Sequence, residues 1–99
     1  MRRLTVLALV LLPLPAAAQG PNDGRPLAER WCMACHVIER APPSLPPDRG
    51  PNFAVIAARP STTPESLRRY LSTGHTDMPD FALSRFESDA LIAYIMSLR

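Results

Sequence analysis

Cys32, Cys35 and His36 stand in the run Trp31-Cys32-Met33-Ala34-Cys35-His36, and they are the only two cysteines and one of the two histidines in the chain. Near the end of a helix such positions fall at i, i+3 and i+4 and share one face. Two thiols placed this way can add across the two vinyl groups along one edge of a porphyrin. The imidazole that follows then turns under the ring and binds iron. The C-x-x-C-H spacing therefore predicts one haem attached through Cys32 and Cys35, with His36 as its proximal ligand. Other uses of these residues fit less well. A thioredoxin-like dithiol sits in a βαβ unit, and no strand pattern precedes Cys32. A tetrahedral zinc site needs four ligands, and the remaining histidine, His75, lies far along the chain. A structural disulfide leaves His36 unexplained.

The rest of the chain must hold such a site with little material. Its 99 residues amount to one domain at most. Arg2 and Arg3 precede an apolar run from Leu4 to Leu14, and Ala16-Ala17-Ala18 follows as a small-residue cleavage site. This is the pattern of a cleaved signal peptide over residues 1–18, leaving a monohaem domain over residues 19–99. A membrane anchor needs about 20 apolar residues, and here Pro13 and Pro15 interrupt a shorter run. No cysteine follows the cleavage site to take a lipid, so no stable membrane insertion is expected. Export in an unfolded state, with haem attached after translocation, places the domain in the periplasm.

Charge narrows the partners. All eleven basic residues are arginine, and without Arg2 and Arg3 nine face nine acidic residues. A neutral domain is a poor ligand for nucleic acid or an anionic membrane, both of which favour a basic face. Size then raises a difficulty of its own. A domain this small usually needs a staple, and a Cys32–Cys35 bridge would close too short a loop to stabilise much. A buried cofactor would supply the missing interior.

Periodicity places these groups on helices. Asn22 or Asp23 can cap a first helix running to about Ala34, with Pro26 in its first turn. Gly24 and Ala28 offer a small-residue groove for a crossing helix, and Trp31 reads as core filler. The stretch Ala41–Pro51, APPSLPPDRGP, cannot be regular helix or central strand, and reads as a stiff extended loop along one haem edge. Asn52–Ala58 forms a short helix with Phe53 and Ile56 inward. Thr63 caps the next helix with Pro64 at its first position, Leu67, Tyr70 and Leu71 line one side, and Gly74 ends it. Ser84 and Glu87 make a capping box for the last helix, where Leu91, Tyr94, Ile95 and Leu98 form an apolar stripe. No segment alternates over a strand's length, so the fold class is all-α.

With the haem motif near the N-terminus, Gly50-Pro51 after it, Met78-Pro79 later and a helix over Leu91–Met96 last, the chain resembles the class I cytochromes c, in particular their short bacterial monohaem members. The order of these motifs separates it from four-helix cytochromes c′, whose haem motif lies near the C-terminus. The resemblance implies a small cytochrome c fold, three to five helices around one covalently bound haem c. It also implies that the Pro51 carbonyl accepts the Nδ1–H of His36, which fixes the ring and its tautomer.

For the sixth coordination position the residues themselves leave Met33, Met78, Met96, His75 or nothing. Met33 lies inside the attachment loop, and Met96 reads as core filler. Met78 lies in the loop Gly74–Asp80, where packing does not call for a methionine, and the resemblance makes it the distal ligand. His75 and Tyr70 are expected to reach a haem propionate. The sequence departs from some relatives at Asp80, where a second proline is absent. With His36 and Met78 both bound, the resemblance implies a periplasmic electron carrier and not an enzyme. It would be a monomer passing single electrons between redox proteins as donor and acceptor. The same module serves as a tethered subunit of membrane oxidases or dehydrogenases. A five-coordinate haem that binds a small gas or acts as a peroxidase is the alternative, and it requires Met78 not to bind.

Overall fold

The computed structural model describes residues 11–13, 20–40, 49–75 and 77–99. Its elements are four helices: α1 (Pro21–Trp31), α2 (Phe53–Ala58), α3 (Pro64–Leu71) and α4 (Arg85–Ser97). Most of residues 1–18 and of the proline-rich stretch, and with them the cleavage site and the haem-edge loop, lie outside the described residues.

Local chemistry explains where the helices begin. Around α4, Glu87 N–H donates to Ser84 Oγ at 3.1 Å and Ser84 N–H donates to Glu87 Oε2 at 2.8 Å. This exchange satisfies two donors that the first turn would otherwise leave free. Thr63 and Ser66 do the same for α3, at 3.0 and 2.9 Å, with Pro64 at its first position. The first helix starts earlier than its polar residues suggest. Gly20 is its N-cap, and Asp23 acts from inside, its Oδ2 accepting from Gly20 N–H at 3.1 Å. Pro26 therefore sits in the helix interior and not in its first turn, where it forgoes one intrahelical bond.

Two helix ends also differ from expectation. The first helix stops at Trp31, with Cys32 as its C-cap, rather than running to Ala34. The third stops at Leu71, and no glycine takes a left-handed conformation. Gly74 is not needed as the stop because Ser72 and Thr73 hydroxyls both donate to the Arg69 carbonyl, at 3.0 Å each. They satisfy an end carbonyl that a glycine turn would otherwise serve.

The last helix is the hub. Among the described residues α1, α2 and α3 each pack on α4 and on no other helix. Its buried face, Leu91, Ile92, Tyr94 and Ile95, meets Ala28, Cys32, Ile38, Phe53, Ala57 and Leu67 in one core. Leu98 packs at the edge. The crossing with α1 is very close: a Cβ on Gly24 would lie 2.1 Å from the Ala90 carbonyl oxygen and 2.7 Å from Tyr94 Cβ. Glycine is required here for proximity, so Gly24 and Tyr94 mark where the two helices meet.

Candidate functional site

The reactive trio lies in the turn that follows α1. Cys35 and His36 N–H groups donate to the Cys32 carbonyl at 3.1 and 2.9 Å, which continues one helical turn beyond the helix itself. The three positions thus keep helix-like spacing although the regular α-helix has ended at Trp31. Cys32 is buried and Cys35 partly buried, and they are not bonded to each other. Burial pushes the Cys32 thiol up to about 11, because the interior disfavours its thiolate.

Residues 49–53 run beside this turn and are tied to it rung by rung. Arg49 and Gly50 N–H groups donate to the Cys35 carbonyl at 3.0 and 2.9 Å, and Phe53 N–H donates to the Val37 carbonyl at 2.9 Å. Between these rungs His36 Nδ1 lies 2.7 Å from the Pro51 carbonyl oxygen. A carbonyl only accepts, so Nδ1 carries a proton, which in the neutral ring leaves the lone pair on Nε2. The ring is confined on further sides. A Cβ on Gly50 would lie 2.3 Å from His36 Cε1, so that residue has to be glycine for the chain to pass the imidazole. Phe53, buried at the start of α2, stands 5.3 Å from the His36 ring centre and meets Tyr94 edge-on at 6.5 Å.

Tyr94 links this wall to the hub helix. Its hydroxyl donates to the Ile38 carbonyl at 2.8 Å in the buried interior. Burial raises the phenol above its ordinary value, an effect that the nearby Arg25 opposes. On the outside, Arg25 pairs with Glu29 and with Glu39, so the segment after His36 is clasped to α1 from the surface as well.

The other candidate residues gather at the far end of α3. His75 stacks on the Tyr70 ring, centres 3.7 Å apart and planes 18° apart, and its Nε2 lies 3.2 Å from the Tyr70 carbonyl oxygen. Tyr70 is about half exposed. His75 and Met78 exchange backbone hydrogen bonds in both directions, at 3.1 and 3.2 Å. Beyond Met78, Asp80 Oδ1 accepts from Ala82 N–H at 2.8 Å, and Ala82 adopts φ 50°. Asp80 thereby braces the turn by a side-chain hydrogen bond where a second proline would do so covalently. Phe81 then lies parallel to Trp31, ring centres 5.9 Å apart. Trp31, half-buried, packs against the core as expected and also partners this loop, with Arg30 5.3 Å from its ring centre.

The chain's residues fit a covalently held haem. One imidazole has its orientation and back wall fixed, with Nδ1 committed to the Pro51 carbonyl and Nε2 left without a protein hydrogen-bond partner among the described residues. Cys32 is protected from ionisation by burial, an environment that suits a thioether, which has no proton to lose. Gly50, Phe53, and the Tyr94–Ile38 and Trp31–Phe81 contacts join residues distant in sequence. Phe53 and Tyr94 were legible as inward-facing and Gly50 through the glycine-proline pair, but no local signal named the partners they meet.

The family described as cytochrome c oxidase, cbb3-type, subunit III, matches residues 19–95. Cytochrome c-552 from Bradyrhizobium diazoefficiens is 40% identical over 94 residues, covering 95% of this chain and 89% of that protein. No solved structure matches the chain significantly. Among the described residues no helix is long and apolar enough to cross a membrane. An all-α scaffold, a C-x-x-C-H turn and these two matches place the chain in the family of small c-type cytochromes, which are electron carriers and not enzymes.

Proposed function

We propose that this chain is a periplasmic one-electron carrier, functional as residues 19–99, with one haem c joined to Cys32 and Cys35. His36 Nε2 and the Met78 thioether would hold its iron. When bound, the haem supplies an iron centre that gains and loses one electron. The protein's own work is positional. Pro51 orients His36 and, by accepting its Nδ1–H, raises the basicity of the ligating nitrogen. Gly50 and Phe53 stop the ring from turning. Met78, held by its short backbone pair with His75, would supply the second ligand and so keep water, small ligands and substrate from the iron. The partners are then redox proteins that approach closely enough to exchange an electron.

The observation that carries this reading is the 2.7 Å contact between His36 Nδ1 and the Pro51 carbonyl inside a C-x-x-C-H turn. That arrangement commits one imidazole nitrogen to the protein and reserves the other. Mass spectrometry of the exported protein tests the attachment: the polypeptide lacking residues 1–18 should carry one haem through two thioethers. The oxidised visible spectrum tests the ligands, since methionine–iron ligation gives a weak band near its red end. Met78→Ala should abolish that band, lower the reduction potential and let the reduced protein bind carbon monoxide. A wild-type protein that lacks the band and binds carbon monoxide unaided would instead be the five-coordinate gas-binding or peroxidase-like protein.

A further inference from the structure

We propose that His75 is a positioning residue for Met78, a latch that ties the Met78 loop to the end of α3, and not a haem-contacting side chain. This rests on the reading of Met78 as a ligand. The connection runs through three contacts in series. The first is anchorage of α3 itself: Leu67 is buried in the core, and Arg68 pairs with Asp89 of α4. The second is the His75 side chain, which lies flat on the Tyr70 ring and brings Nε2 3.2 Å from the Tyr70 carbonyl. That carbonyl belongs to the last turn of α3 and accepts a long backbone bond, from Thr73 N–H at 3.4 Å, so its second lone pair can take a histidine N–H, a favourable donor at a helix C-terminus. The third is the pair of backbone hydrogen bonds, 3.1 and 3.2 Å, between His75 and Met78.

The side chain of His75 therefore has its ring face on Tyr70 and its Nε2 on the helix end. Its backbone on both sides holds Met78. A displacement of Met78 must either break the two backbone bonds or drag the imidazole off Tyr70. The loop is tied at its far end too, where Phe81 stacks on Trp31, the residue before Cys32. His75 is the nearer of the two ties, and all its contacts lie at the exposed surface. It is thus the tie a substitution can remove without touching the core.

The test uses the holoprotein and imidazole as an incoming ligand that can bind only when the distal position opens. His75→Ala should leave the haem attached, the helical circular dichroism intact and the red-end band present at rest. It should speed imidazole binding by about tenfold, the change that losing one hydrogen bond and one ring stack makes in an opening equilibrium. Tyr70→Phe, which keeps both the ring and the backbone carbonyl, should bind imidazole at the wild-type rate, and Tyr70→Ala should move toward the His75→Ala rate. An unchanged imidazole rate in His75→Ala, with a shifted reduction potential, would overturn the latch and make His75 a propionate partner. Loss of the red-end band in Met78→Ala alone supports the ligand reading independently. If His75→Ala removes the axial ligand and Met78→Ala does not, the ligand reading fails, and the latch fails with it.

Discussion

Around His36 the chain is backed by buried groups, Phe53 and the Tyr94–Ile38 pair, whereas the ties around Met78 lie at exposed or half-exposed residues. The His36 side has a backbone ladder to residues 49–53, a glycine pressed against the ring, Phe53 behind it and Tyr94 bonded to Ile38 beneath. The Met78 side has a two-bond backbone pair, a half-exposed tyrosine stack and the Asp80 turn. Buried ties come undone only with the domain, while surface ties can open one at a time. The His36 side should therefore fail with global unfolding, and the Met78 side should open first and locally.

The largest effect belongs to Gly50→Ala. Its new Cβ would sit 2.3 Å from His36 Cε1, and neither the laddered chain nor the walled ring can step aside. Most of the exported protein should fail to accumulate with haem, as measured by the ratio of haem absorbance to total protein. Cys32→Ala with Cys35→Ala should give the same yield by removing the attachment, and unfolded apoprotein with it. A Gly50→Ala protein with normal yield and spectrum would mean that the His36 side is as compliant as the Met78 side.

Gly24→Leu comes next, because it attacks the hub that supports the buried side. The obstruction is the Ala90 backbone, 2.1 Å from the new Cβ, so the helices must move apart. A loss of roughly 1–3 kcal/mol or more is expected from overpacking, read from thermal or denaturant melting. In that melt the Met78 spectroscopic signal should be lost at or before the temperature at which the His36 signal disappears with the fold; loss of the His36 signal first would reverse the comparison.

Tyr94→Phe moves no backbone and should cost no more than Gly24→Leu, about 1–3 kcal/mol, by leaving the buried Ile38 carbonyl without its donor. The phenol also gives the wild type a pH signature. Its proton is bound more tightly in the folded state than at the ordinary value of 10.0. The contribution is thus complete below that value and disappears as pH rises through the higher folded value. Melting temperatures of wild type and Tyr94→Phe should converge above pH 10; a constant gap would show that the hydroxyl's proton is not what holds Ile38.

Ionic strength should matter least. Nine arginines balance nine acidic residues over residues 19–99, and Arg25 and Arg68 already face Glu29, Glu39 and Asp89. Electron-transfer rates with a native partner should change only a few-fold across salt, as for weakly steered encounters. A steep fall would put unpaired arginines together on the docking face.

Short-range chemistry was legible before any fold was known. The C-x-x-C-H run, the Thr63 and Ser84 caps, and the stripe over Leu91–Leu98 all rest on spacings of a few residues, which helix geometry converts directly into shared faces. Gly24 was legible as a groove because a glycine and an alanine four apart can only mean close approach if the facing stripe is large. Tertiary structure decided what the spacings leave open: that Phe53 backs His36, that Tyr94 reaches the Ile38 carbonyl across 56 positions, and that Trp31, packed against the core, also stacks on Phe81. Each of these joins groups whose meeting depends on how α1, α2 and the loops are set against α4, and no local periodicity encodes an angle between helices.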